Sequence, residues 1–247
     1  MSAESNFTLA RKFAAASGIL LILVLAMSVT LVANADPGVS VIMVPALVCL
    51  TVIGPILSIT QRHFQVKGNL LLRESQYRDA FKVPMGDSVR DDYYNNVLKP
   101  SVKRLGANTL ENTKFTLAVV DKMLWWIRMK TLIYFVVFIA LLAVRQTDLG
   151  WVLLATQTMF SGDVVSRWYS LERFRLRTSE CRLLLKQHYI ESAKKETLVS
   201  HAFILRAFTN YECAKDEVAE PLSQRIFDKL NPQVSKLWDE ERADLDI

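Results

Sequence analysis

Apolar residues in this chain fall in blocks rather than at helical or strand intervals. Residues 13–35 carry no charge, and neither do residues 37–61. A hydrocarbon core about 30 Å thick takes roughly 20 helical residues to cross, so each block is long enough. Lipid offers the backbone no hydrogen-bond partners, which makes each block an α-helix. Two shorter uncharged blocks follow, 131–144 and 149–162. By length alone each fits a buried core helix equally well. Their flanks favour spanning. The first extends back through Leu124, Trp125, Trp126 and Ile127, with Arg128 and Lys130 placed to snorkel toward headgroups. The second begins near Trp151 and ends near Trp168 and Tyr169, an aromatic belt at either end.

The pattern therefore predicts an all-α integral membrane protein. Two transmembrane helical hairpins, four spans in all, accompany an α-helical cytosolic region. Residues 1–61 form the first hairpin, 62–123 a cytosolic helical segment, 124–168 the second hairpin and 169–247 a cytosolic helical tail. Arg11 and Lys12 before the first block, and Ala33-Asn34-Ala35 after it, also fit a cleavable signal peptide. An apolar run of about 20 residues exceeds the 7–15 of a signal core, so a retained helix is expected.

Charge sets the expected orientation. The loop at residues 34–38 holds one acid and no base, and the loop at 145–148 one of each. Thirteen Lys or Arg fall between Arg62 and Lys130, and fourteen from Asp163 onward. Basic residues close to spans stay cytosolic. Both termini and the central segment are thus expected in the cytosol, in the inner membrane if the host is bacterial. The tail itself is balanced, with fifteen acids against fourteen bases. Lipid and topology account for the net charge of +5, and nucleic acid is not expected as a direct ligand.

Outside the blocks the pattern is helical. No Gly or Pro occurs between Thr109 and Val144, and Asn108-x-x-Glu111 reads as a capping signature at the start of one long helix. A second long helix is expected from Asp163, broken near Ser192. Leu183, Leu184, Ile190, Leu198, Phe203, Ile204, Leu205, Phe208 and Tyr211 give the tail an apolar stripe. Pro221 suits the first turn of another helix, ending near Leu230, where Asn231-Pro232 breaks it; a last short helix carries Leu237 and Trp238. The spacing Arg73-x-Ser75-x-x-Arg78-x-x-x-Lys82 recurs as Arg177-x-Ser179-x-x-Arg182-x-x-x-Lys186, 104 residues on, a hint of duplication.

Catalytic and metal-binding patterns are not found. His63, His188 and His201 are scattered, Cys49, Cys181 and Cys213 have no ligand spacing, and eight glycines supply no phosphate loop. No enzyme, cofactor or metal is expected. The polar residues within the spans are more informative. Thr156, Gln157, Ser161 and Asp163 lie along one sector of the fourth span, and Thr51 and Ser58 are seven apart on the second. Intramembrane polar groups face protein or water. Interhelical hydrogen bonding is the simpler account of these six, and a water-accessible path the functional one. Pro45, Gly54 and Pro55 are candidate kink points, and Ala14 and Gly18 allow close helix contact within one chain or in a homo-oligomer.

Two hairpins, a cytosolic segment and a helical tail together resemble the four-transmembrane effectors of bacterial anti-phage systems. These include the effectors associated with nucleotide-second-messenger synthases and those attached to some retrons. The fragments that carry the resemblance are Arg73-Glu74-Ser75-Gln76-Tyr77-Arg78-Asp79, and Arg167-Trp168-Tyr169 leading to Glu180-Cys181-Arg182. The resemblance implies an effector that perturbs the inner membrane once a cytosolic sensor protein or nucleotide signal triggers it. Against it stand a membrane-anchored scaffold for a cytosolic partner and, with only Gly54-Pro55 in its favour, a small channel or transporter subunit.

Overall fold

The computed structural model describes residues 2–33, 37–84, 94, 98–143, 150–151, 164–191, 197–218 and 221–247. Among the described residues the chain is all-helical, without strands. Six helices are delimited: α1 (Ala3–Ala33), α2 (Pro37–Phe81), α3 (Val102–Ala143), α4 (Val164–Glu191), α5 (Leu198–Glu217) and α6 (Gln224–Leu245). Three of them, α1, α2 and α3, are long and apolar enough to cross a membrane, which marks a membrane protein. Most of the expected fourth span, residues 152–163, lies outside the described residues.

The helices divide between two compact units. One comprises Phe7–Gln65 and Trp125–Tyr169, and the other Met1–Asn6, Val66–Leu124 and Ser170–Ile247. The first, apolar unit holds the charge-free stretches of α1, α2 and α3. Its large apolar side chains point outward: Val41, Ile42 and Ile59 are each more than 70% exposed, and Trp126 and Ile133 are exposed as well. Water does not tolerate a surface of this kind, whereas hydrocarbon does. The residues α1 buries here are Ala10, Ser17 and Ser28, a single stripe of small side chains. Phe13 stacks on Phe64 with ring centroids 5.7 Å apart. A Cβ placed on Gly54 would lie 3.7 Å from Leu20 Cδ2, so Gly54 is a glycine at which a neighbouring helix comes close. Gly18, expected in that role, faces open space. α2 runs through Pro45 and Pro55 without ending, although each proline removes one helical hydrogen bond.

The second unit is a helical bundle. Its α4 buries Leu171, Phe174, Thr178, Cys181, Leu185 and Tyr189, at intervals of three and four. Of these, Leu185 and Tyr189 share a core with Ala107 and Leu110 of α3, Ile204 and Ala207 of α5, and Trp238 and Leu245 of α6. A second cluster joins Ala80, Leu105 and Phe208, flanked by Tyr77 and Phe81. The expected tail stripe splits in two: Ile204, Phe208 and Tyr211 are buried, whereas Leu183, Ile190 and Leu198 are exposed.

Two expected boundaries are corrected. α3 begins at Val102, six residues before Asn108, and its start is capped by Ser101, whose Oγ accepts from Arg104 N at 3.2 Å. Asn108 lies in the helix interior, fully buried, with its amide engaged elsewhere. The last two expected helices are one. α6 starts after Ser223, whose Oγ accepts from Ile226 N, and continues through Pro232 to Leu245. An interior proline costs about 3 kcal/mol. Burial of Val234, Trp238 and Leu245, all beyond Pro232, offsets it.

Candidate functional site

Of the six residues expected to line a polar path, Thr156, Gln157, Ser161 and Asp163 lie outside the described residues. Thr51 and Ser58 share an exposed face of α2. The Thr51 hydroxyl donates to Val48 O at 2.8 Å, so it is satisfied within its own helix. Among the described residues the buried polar side chains of the apolar unit lie elsewhere, at Ser17 and Ser28 of α1 and at Gln61 and Gln65 of α2. Ser28 Oγ, also buried, has no hydrogen-bond partner among the described residues.

The denser chemistry is in the bundle, where three acids each gather several donors. Asp79 of α2 receives Arg104 at 2.9 and 3.2 Å, Asn108 at 2.8 Å and Lys82 at 3.1 Å. Burial pushes its carboxyl up, but the hydrogen bonds from Arg104, Asn108 and Lys82 outweigh that and hold it below its ordinary value. Arg104 also donates to Leu98 O at 2.8 Å, tying down the segment before α3. Glu212 of α5, 2% exposed, meets Arg73 at 3.2 Å and Lys215 at 2.8 Å. Arg73 reaches on to Asp216 at 2.7 Å, and Asn69 donates to the same carboxylate at 3.0 Å. Glu241 of α6 draws Lys114 from α3 at 2.8 Å, and Arg182 and Lys186 from α4 at 2.7 and 3.1 Å. Burial raises the Glu241 carboxyl, yet Lys114 and Arg182 pull it down to about 2.

A fourth acid is treated differently. Glu111 of α3 is buried, and its Oε2 has no hydrogen-bond partner among the described residues. Burial pushes this carboxyl up to about 7, with Arg242 opposing and Asp239 and Asp79 adding to the rise. Cys181 is pushed up to about 11 by burial and by Glu180, which makes it an unreactive thiol at neutral pH. His188, stacked on Phe203 and 2.7 Å from Ser200 Oγ, is held below its ordinary value by burial. Among the described residues, no group of His, Cys, Asp and Glu is arranged to hold a metal ion.

Sequence reasoning missed this network. Asn69, Gln76 and Asp79 are all buried and recur at helical intervals along one side of α2, as do Arg104, Asn108 and Glu111 on α3. That periodicity was visible, but polar faces read by default as solvated. One matched pair of the 104-residue spacing has similar partners: Arg73 pairs with Glu212 and Asp216, and Arg177 with Glu217, all acids of α5. Comparison with protein-family models, curated proteins and solved structures finds no match.

Proposed function

We propose that this chain is a membrane effector that perturbs or permeabilises a bacterial inner membrane when a cytosolic signal or partner acts on its bundle. The setting is anti-phage defence by abortive infection. The observation that carries the reading is the make-up of α2 and α3. Each holds a charge-free stretch and a stretch packed in the bundle core, without a break between them. A change in how the bundle packs therefore acts directly on two helices that also contribute the lipid-facing surface. The polar sector Thr156, Gln157, Ser161 and Asp163 supplies the path, and a homo-oligomer supplies its wall.

Four spans in two hairpins, with both termini cytosolic, complete the reading. The first hairpin is supported by two contacts whose order is antiparallel, Phe13 with Phe64 and Leu20 with Gly54. Induced expression in bacteria, followed with a membrane-potential dye, tests the function. Depolarisation and growth arrest are expected, relieved by Asp163→Leu or Gln157→Leu. Unchanged potential under every trigger tried would remove the reading.

A second reading, a scaffold anchoring a cytosolic partner, is favoured by one observation. Leu176, Leu183 and Ile190 are exposed on α4 at seven-residue spacing, and Leu198 and Val199 are exposed at the start of α5. Purification in detergent tests the scaffold: a stoichiometric co-purifying protein supports it, and an isolated monomer argues against it.

A further inference from the structure

The bundle distributes its hydrogen-bond donors unevenly among its acids. Asp79 has Arg104, Asn108 and Lys82, Glu212 has Arg73 and Lys215, and Glu241 has Lys114, Arg182 and Lys186. Glu111, as buried as Asp79, has an Oε2 that receives no hydrogen bond among the described residues. It lies on the helix that packs against α6. Leu110 and Trp238 share one core cluster, and Lys114, one turn on, bonds Leu237 O and Glu241. On the α6 side Trp238 is buried, and its Nε1 also lacks a partner among the described residues. A neutral carboxylic acid tolerates a buried oxygen without donors, whereas an ionised carboxylate is penalised by it.

We propose that Glu111 is a proton-operated latch: neutral, it lets α6 lie on α3, and ionised, it drives the two apart. The charged groups acting on it are Arg242 and Asp239 from α6 and Asp79 from α2. Arg182 and Lys186 of α4 are drawn to Glu241, and Glu212 of α5 is held by Arg73 and Lys215. Arg242 is the one cation of the three acting groups, and it is shared with Asp239 at 3.7 Å.

A carboxyl raised from 4.5 to about 7 in the packed state leaves the closed latch fully favoured below pH 4.5. The closed form then loses ground as pH rises and has lost all of this contribution above about 7. Between pH 6 and pH 8 the closed-to-open ratio falls about tenfold by this linkage. The latch is a property of the bundle and stands whether or not the chain permeabilises membranes.

Hydrogen exchange on the full chain in detergent tests it, with wild type and Glu111→Gln compared at each pH so that intrinsic exchange rates cancel. Residues 224–245 of the wild type should exchange about tenfold faster relative to the variant at pH 8 than at pH 6. Asp239→Asn and Arg242→Gln keep Glu111 and move it in opposite directions. Losing Asp239 should make the loosening of α6 smaller and level it off at a lower pH, and losing Arg242 should make it larger and level it off at a higher pH. An identical pH profile in wild type and Glu111→Gln overturns the latch. If that variant does not fold, a loosening pH unmoved by Asp239→Asn and Arg242→Gln overturns it instead.

Discussion

Replacing Gly106 by alanine sets two effects of opposite sign against each other. Glycine inside a helix is less favourable than alanine by about 1 kcal/mol, so the substitution would stabilise an isolated α3. In the bundle, an added Cβ would stand 2.5 Å from Tyr189 Oη and 2.9 Å from Ile204 Cγ2. Both neighbours are buried, and Tyr189 Oη donates to Lys103 O at 2.6 Å, so neither side chain has free space to retreat into. Overpacking of this kind costs about 1–3 kcal/mol, and giving up the tyrosine hydrogen bond adds about 1 kcal/mol. The net expectation is a loss of about 1–3 kcal/mol in bundle stability. Cys181, buried on α4, is the reporter: its reaction with a fluorogenic maleimide during a thermal ramp follows bundle unfolding, with the exposed Cys49 and Cys213 replaced by serine. Tyr189→Phe removes the nearest clashing atom, so the alanine penalty measured in that background should fall by about 1 kcal/mol. A higher unfolding midpoint for Gly106→Ala, or a penalty indifferent to Tyr189→Phe, would show that the contact does not limit packing here.

Asp79→Ala leaves the Arg104 guanidinium buried without its counter-charge and should cost about 3–5 kcal/mol by the same assay. Lys82→Ala, which removes a half-exposed contact to the same carboxylate, should cost under about 1 kcal/mol. Glu241→Gln should destabilise the bundle at neutral pH. Because the native carboxyl is held at about 2 against an ordinary 4.5, that difference from wild type should shrink as pH falls from 4.5 toward 2. Val52→Arg places a charge on an exposed apolar face of α2, a change worth about 3 kcal/mol against insertion at a span centre, and should lower the carbonate-resistant membrane fraction.

The three long apolar helices were legible because lipid imposes a composition, and composition survives any arrangement of neighbours. Residues 13–33 of the first block fall within α1 and the 37–61 block within α2, and the continuity of α3 followed from the absence of helix breakers after Thr109. Helix ends were less legible. Asn108-x-x-Glu111 has the spacing of a cap, but Asn108 Nδ2 is 2.8 Å from Asp79, and a tertiary partner overrides a local signature. Ser101, preceded by Pro100, was the better local candidate and does the capping. Pro232 read as a break because the cost of an interior proline is local, whereas the Trp238 burial that outweighs it comes from packing against α3 and α4. The candidate site was the least legible part, since nothing along the chain distinguishes Gln76 or Asp79, turned into the core, from the same residues turned to water.

Apolar packing alone does not explain why such a bundle buries ion pairs. The Asp79–Arg104 pair lies about 10% exposed, where desolvation of both charges consumes most of their mutual attraction. Replacing both together by well-packed apolar residues, as in Asp79→Leu with Arg104→Met, should therefore leave stability unchanged or raise it, although Asp79→Ala alone lowers it. The pair then acts mainly on geometry. Arg104 reaches both Asp79 and Leu98 O, and Asn108 reaches Asp79 again, so α2, α3 and Leu98 just before α3 fit in one register. Leu in place of those groups packs in several registers at similar energy. If the double substitution keeps or gains stability but broadens the hydrogen-exchange pattern of α2 and α3, the charges serve register. If it collapses the bundle, they serve stability, and the same conclusion then extends to Glu241 and its three cations.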